Sequence, residues 1–305
     1  MTGVLVMAYG GPDRLEDVEP YVLDVRDHRP TPPALIEEIR ARYRAIGGRS
    51  PILERTRAQA AALERSLIAS GTPARTYVGM RHWRPTIPDA LAHMRAEGIR
   101  RVVGLVMAPH FSAMSVGAYY RKVGCALEDM ELRRILTWHL LPGYLDAVTA
   151  RVHAAAAVLE PDARAGDSVH VLFTAHSLPA RIVADGDPYA AQLRETVDAL
   201  ANRIGLPHSF AYQSAAMTPE PWLGPDAAEA LTALASSGVR RVVVAPIGFT
   251  SDHVEILYDI DIALQAHART LGMTMRRIAM MNDDPAMMAG LAGLVRAEMA
   301  NAGWM

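Results

Sequence analysis

Cysteine is almost missing from this sequence. The 305 residues contain one, Cys125. An internal disulfide framework is therefore excluded, as is a zinc site or cluster held only by the chain's own thiolates. A reducing cytoplasm is the expected compartment. An excess of charge is missing too. Lys and Arg number 31 against 33 Asp and Glu, a net charge of −2, which leaves no electrostatic footprint for nucleic acid. No apolar run approaches the roughly 20 residues that a membrane helix needs. No basic segment followed by an apolar one precedes the first strand-like run, so neither membrane insertion nor a signal peptide is expected. The glycine pairs Gly10-Gly11 and Gly47-Gly48 do not extend into a GxGxxG or phosphate loop, and no nucleotide cofactor is indicated.

What is present reads as a soluble globular protein, half apolar and about a fifth charged. Its length suggests about two domains. Short Val-rich runs at 4–7, 76–78, 101–107, 169–173 and 242–245 predict buried strands. Amphipathic stretches at 53–68, 87–96, 144–159, 189–204 and 227–236 predict helices between them. That alternation implies βαβ units and parallel sheets. The order also repeats. VLVMAYGGP (4–12) and VLFTAHSLP (171–179) each end an apolar run on a polar ring, and RRVV recurs at 100–103 and 240–243, each time ahead of an Ala-Pro. The predicted fold is α/β: two similar Rossmann-like domains, 1–142 and 143–305, each a parallel sheet flanked by helices, with a cleft between them. The hinge is expected near 139–144, and a last helix at about 285–301 is expected to pack back toward the first domain. Ligands of open parallel sheets bind beyond the carboxyl ends of the strands. That rule gathers Tyr9, His110, His176 and the loop after Ala245 around one crevice.

Three groups of residues carry chemistry. His176 is read either as a strand-end histidine satisfied by a turn, or as a base or metal ligand. Ser177 lacks the flanking glycines of a nucleophile elbow. In TSDHVEILYDID (250–261), Asp252, Glu255 and Asp259 are spaced by three and four residues. One helix face would hold all three. The stretch reads as a capping box or as an acidic stripe for a hard divalent cation and protons. His253-x-Glu255 resembles half a zinc deaminase signature, but the downstream cysteine pair is absent. The arginines of VRDHRP (25–30) and ARYRAIGGRSP (41–51) lie on solvated faces or grip carboxylates with their two-pronged guanidinium.

Taken together, these stretches resemble the ferrochelatases, which insert Fe²⁺ into a porphyrin. The resemblance runs through VLVMAYGGP, LEDVEPY (15–21), RYRAIGGRSP, MAPHFS (107–112), AHSLP, YQS (212–214), PWLGPD (221–226) and GFTSDHVEILYD, and so covers nearly the whole chain. MAPHFSAMSV resembles the soluble bacterial branch that acts on coproporphyrin III. The resemblance implies the class II chelatase-like two-domain fold and a form without an iron–sulfur cluster. It implies that His176 and Glu255 accept pyrrole protons or guide the metal, and that Tyr9 approaches the opposite face as axial ligand of the product iron. Arg26, Arg42, Ser50 and Tyr119 fall at positions that bind propionates, and Asp252 and Asp259 support Glu255 as an acidic stripe. The chain departs from the family pattern at Ala263, where another acid is usual, and at Ala216 and Met217, where glycine and a basic residue are common.

The implied activity is that of a ferrochelatase, a lyase of haem biosynthesis. Its substrates would be coproporphyrin III and Fe²⁺, with two protons released and no cofactor beyond the iron. A transient partner would receive the product. The alternatives are a chelatase for another metal or tetrapyrrole, and a non-enzymatic porphyrin or haem carrier on the same scaffold.

Overall fold

In the computed structural model, residues 1–159, 168–216 and 219–305 are described. They form two compact units. The first comprises Met1–Gly143, Ser251–Val254 and Asn282–Met305, the second Tyr144–Thr250 and Glu255–Met281. The linear reading, with one cut at 142/143 and only the last helix returning, does not contain Ser251–Val254. That segment joins the first unit through Asn282, whose side-chain amide donates to the Asp252 carboxylate at 3.0 Å. No local sequence pattern shows such a pairing.

The first unit runs β1 (Thr2–Ala8), α1 (Val18–Val25), α2 (Pro33–Ala45), α3 (Ile52–Ala69), β2 (Arg75–Met80), α4 (Ile87–Ala96), β3 (Arg101–Val106), α5 (Val116–Ala126) and β4 (Glu131–Ile135). Its sheet is parallel, in the order β2-β1-β3-β4. The central strand is closed to water from Val4 to Met7, which explains an unbroken apolar run in place of alternation. Helix α4 starts where Thr86 and Asp89 cap each other's backbone N–H groups, a box worth about 1 kcal/mol.

The second unit repeats the plan. It contains α6 (Pro142–Leu159) from Tyr144 on, β5 (Val169–His176), α7 (Arg181–Ala184), α8 (Tyr189–Ile204), β6 (His208–Gln213), α9 (Ala227–Ser236), β7 (Arg241–Pro246), α10 (Val254–Leu257) from Glu255 on, a π-helical turn (Asp259–Leu264), α11 (Gln265–Thr270) and β8 (Thr274–Arg277). The order β6-β5-β7-β8 is again all parallel. The final helix, α12 (Pro285–Asn301), belongs to the first unit. It packs on α3, β3 and β4 and buries Met287, Met288, Leu291, Ala292, Val295 and Met299. No helix among the described residues is long and apolar enough to cross a membrane.

In both sheets the chain leaves the first strand to one side and returns on the other. β1 lies between β2 and β3, and β5 between β6 and β7. The carboxyl ends of β1 and β5 are thus the switch points of their sheets, where open parallel sheets take ligands.

Candidate active site

Tyr9 follows the last residue of β1 and is 37% exposed. The chain turns directly after it. Gly10 has φ of +92°, and a Cβ there would lie 2.9 Å from Trp83, so only glycine fits without strain. The Tyr9 ring packs against His82, with centroids 4.6 Å apart. The Arg81 guanidinium sits 5.7 Å from the Tyr9 centroid and 5.5 Å from that of Tyr119, within cation–π range. His82 is buried, and its Nδ1 lies 2.8 Å from Asp24 Oδ2. Burial pushes the His82 imidazole down to about 4, against the pull of the Asp24 hydrogen bond. At neutral pH the ring is therefore uncharged, with Nδ1–H donating to the carboxylate.

The four residues assigned to propionates all lie in the first unit. Arg26 closes α1, and its Nε donates to Thr31 Oγ1 at 3.0 Å. Arg42, on α2, pairs with Glu38 at 2.7 Å. Ser50 is buried in the turn before α3, its backbone N–H donating to the Pro12 carbonyl at 2.9 Å. Tyr119 is buried on α5 beneath Arg81. His110, grouped with the crevice on the strength of its place after a strand, is 2% exposed. Burial, then the neighbouring His139, holds its imidazole at about 3, so at neutral pH it does not accept a proton.

The second unit carries His176 and Glu255, the pair expected from the sequence to accept protons or guide the metal. His176 ends β5. Its Nδ1 contacts the Ser177 carbonyl oxygen, which can only accept, so Nδ1 holds the hydrogen of the neutral ring. In that tautomer the lone pair is on Nε2, which lies 3.6 Å from Glu255 Oε1. Both side chains are about a third exposed. The His176 carbonyl accepts from the Tyr189 hydroxyl at 2.9 Å. Behind the strand end, the loop after β7 approaches closely: a Cβ on Gly248 would come within 2.8 Å of the Ala175 Cβ. Asp259, one turn beyond Glu255, accepts from the Ser214 hydroxyl at 2.5 Å.

The acidic stripe does not form as a single helix face. Asp252 precedes α10 and belongs to the first unit. Its carboxylate takes the Asn282 amide and has Arg55 at 4.0 Å. The three-and-four spacing aligns side chains only along a continuous α-helix. Here the helix begins after Asp252 and gives way to the π-helical turn at Asp259, which also contains Ala263. Among the described residues no group of three or more His, Cys, Asp or Glu could hold a metal ion. The substitution noted at Met217 lies outside the described residues.

What remains is the imidazole of His176 beside the Glu255 side chain, residue types that can accept protons or ligate a divalent ion. Sequence reasoning missed the groups behind them: Thr174, Tyr189 and the side chain of Gln213 in the second unit, and Arg81 and His82 beside Tyr9. The available signal was a polar residue at each strand end, including the Gln of YQS.

Comparison with known proteins gives a consistent picture. A family model described as ferrochelatase matches residues 1–299. A ferrochelatase of Deinococcus radiodurans is 45% identical over 305 residues, covering 98% of this chain and 96% of its own length. A protein of Geobacillus kaustophilus named coproporphyrin III ferrochelatase is 38% identical, covering 99% and 97%. Among solved structures, SirB from Bacillus subtilis with Fe³⁺ aligns over 99% of this chain and 97% of its own, with a TM-score of 0.61 and 10% identity. CbiX, an enzyme of sirohaem biosynthesis in denitrifying bacteria, covers 97% and 98% with a TM-score of 0.54 and 15% identity. The two structural likenesses speak for the fold, and the sequence matches for the family. The chain belongs to the ferrochelatase family, enzymes that insert a metal into a porphyrin in haem biosynthesis.

Proposed function

We propose that this ferrochelatase inserts Fe²⁺ into coproporphyrin III, releasing two protons. The observation that carries the chemistry is the 3.6 Å approach of His176 Nε2 to Glu255 Oε1. A free-base porphyrin holds two N–H protons, and both must leave as the metal enters. The imidazole lone pair takes one and the carboxylate the other, so charge and protons balance with no further reactant. Tyr9 serves as axial ligand to the product iron, and Asp259 continues the acidic path from Glu255. General base catalysis supplies about 10²- to 10⁴-fold, and binding energy from the porphyrin rim, spent on holding the ring bent, supplies more.

Coproporphyrin III is favoured by the relatives that bear its name and by the assignment of Arg26, Arg42, Ser50 and Tyr119 to propionates. Four carboxylates offer this set more partners than two. Anaerobic assays with coproporphyrin III and protoporphyrin IX side by side test the preference. The tetracarboxylate is expected to react faster, and equal rates would remove it as the preferred substrate. His176→Ala is expected to lower iron insertion at least 100-fold while porphyrin still quenches tryptophan fluorescence on binding. Wild-type turnover in that variant sinks the catalytic assignment.

A further inference from the structure

We propose that Gln213, held by Thr174, is a positioning residue for the His176–Glu255 pair. The proposal rests on the assignment of that pair to metal insertion. Gln213 is the last residue of β6 and the register partner of His176 on β5. Its side chain is almost wholly buried, and Thr174, two residues before His176, is fully buried. The Thr174 hydroxyl lies 2.7 Å from Gln213 Oε1. Gln213 Nε2 donates to the main-chain carbonyl of Glu255 at 3.2 Å. The Gln213 carbonyl accepts from Ser177 N–H at 2.8 Å. One residue thus grips the strand that carries the imidazole and the helix that carries the carboxylate.

Donor and acceptor chemistry fixes the direction of this bridge. The Glu255 carbonyl can only accept, so the NH₂ end of the amide must face it. The amide oxygen then faces Thr174, whose hydroxyl must donate. The flipped amide would set two oxygens against each other at Glu255. The Glu255 carbonyl therefore selects the orientation, and the Thr174 hydroxyl completes it by donating to the amide oxygen. Buried polar groups are costly unless every partner is supplied. A valine and a leucine would fill the same space without that penalty. What the polar bridge adds is a fixed separation between the His176 strand and the Glu255 main chain. A misplacement of about 1 Å between reacting groups can lower a rate 100-fold.

The test is steady-state iron insertion with the porphyrin concentration varied, on Thr174→Val, Gln213→Met and Thr174→Ser, with His176→Ala run alongside. Thr174→Val keeps shape and removes the donor. Gln213→Met keeps length and removes both ends of the bridge. Each is expected to lower kcat at least 10-fold with KM for the porphyrin within twofold of wild type, and Thr174→Ser to restore kcat. Circular dichroism and thermal unfolding confirm that each variant is folded. Should one of the two fail to fold, the other is read by the same criterion, and failure of both would mark the bridge as structural and overturn the proposal. Wild-type kcat in Thr174→Val and Gln213→Met beside an inactive His176→Ala would overturn the positioning role and leave the proposed function standing. So would a Thr174→Ser variant no better than Thr174→Val. An active His176→Ala would instead overturn the underlying assignment.

Discussion

Tyr9 and His176 hold equivalent places in their units, each at the carboxyl end of the central strand of a parallel sheet. Their surroundings differ. Tyr9 is flanked by a buried, uncharged His82 and by the Arg81 guanidinium. His176 has its Nδ1 against a carbonyl and its Nε2 toward a carboxylate. One ring is a phenol with a cation beside it, the other an imidazole set between a carbonyl and a carboxylate. A small residue behind His176 matters as much. A Cβ at position 248 would sit 2.8 Å from the Ala175 Cβ and 3.0 Å from its Cα, so backbone must move to admit it. Gly248→Ala is expected to destabilise the protein by about 1–3 kcal/mol, read as a lower thermal midpoint. Insertion should slow as well, because the displaced residue adjoins His176.

At the scale of elements, the loops at the strand ends divide into exposed chemistry and buried support. His110, in the loop after β3, belongs to the second kind. Its imidazole is held at about 3, well below its ordinary 6.5, by burial first and by His139 second. Above pH 6.5 neither the folded nor the unfolded chain protonates it. As pH falls from 6.5 toward 3, the unfolded chain takes up a proton that the folded chain refuses. Stability is therefore lost through that window, by up to about 1.4 kcal/mol per pH unit from this one group. Urea midpoints measured from pH 7 to pH 4 should fall more steeply for the wild type than for His110→Gln, whatever the variant's stability at pH 7. Parallel slopes would show that His110 is not the group responsible. The edge strands illustrate the opposite condition. β4 reads ELRRI and β8 reads TMRR, with no apolar run, since an edge strand can turn a face and a border to water.

At the scale of the whole chain, the first unit is completed by segments remote in sequence, while the second is one stretch interrupted only at Ser251–Val254. The first unit takes α12 from the C-terminus and Ser251–Val254 from the midst of the second. Val254 packs beside Tyr21 and Tyr43, and Asp252 is held by Asn282. Leu291 on α12 is fully buried, so Leu291→Ala should cost about 2–5 kcal/mol. Trp83, Trp138 and Trp304 all lie in the first unit. Their fluorescence should report the loss as a lower urea midpoint for that unit, and an unchanged midpoint would mean that α12 adds little to its stability.

By itself, the sequence determined the parallel α/β architecture, its internal repeat and the strand ends that carry Tyr9 and His176, because period and apolar runs are local signals. Helices at 87–96, 189–204 and 227–236 and the final helix at 285–301 were legible to the residue, since caps and amphipathic faces lie within the segments themselves. The edge strands β4, β6 and β8 were not, for want of an apolar run. Tertiary structure alone decided that His110 is buried, that Asp252 is held by Asn282 and that Gln213 reaches the Glu255 carbonyl. Each of these depends on which distant residue fills the space beside it. Burial, a helix's starting point and a side-chain bridge across 42 residues follow from packing in three dimensions, which spacing along the chain does not encode.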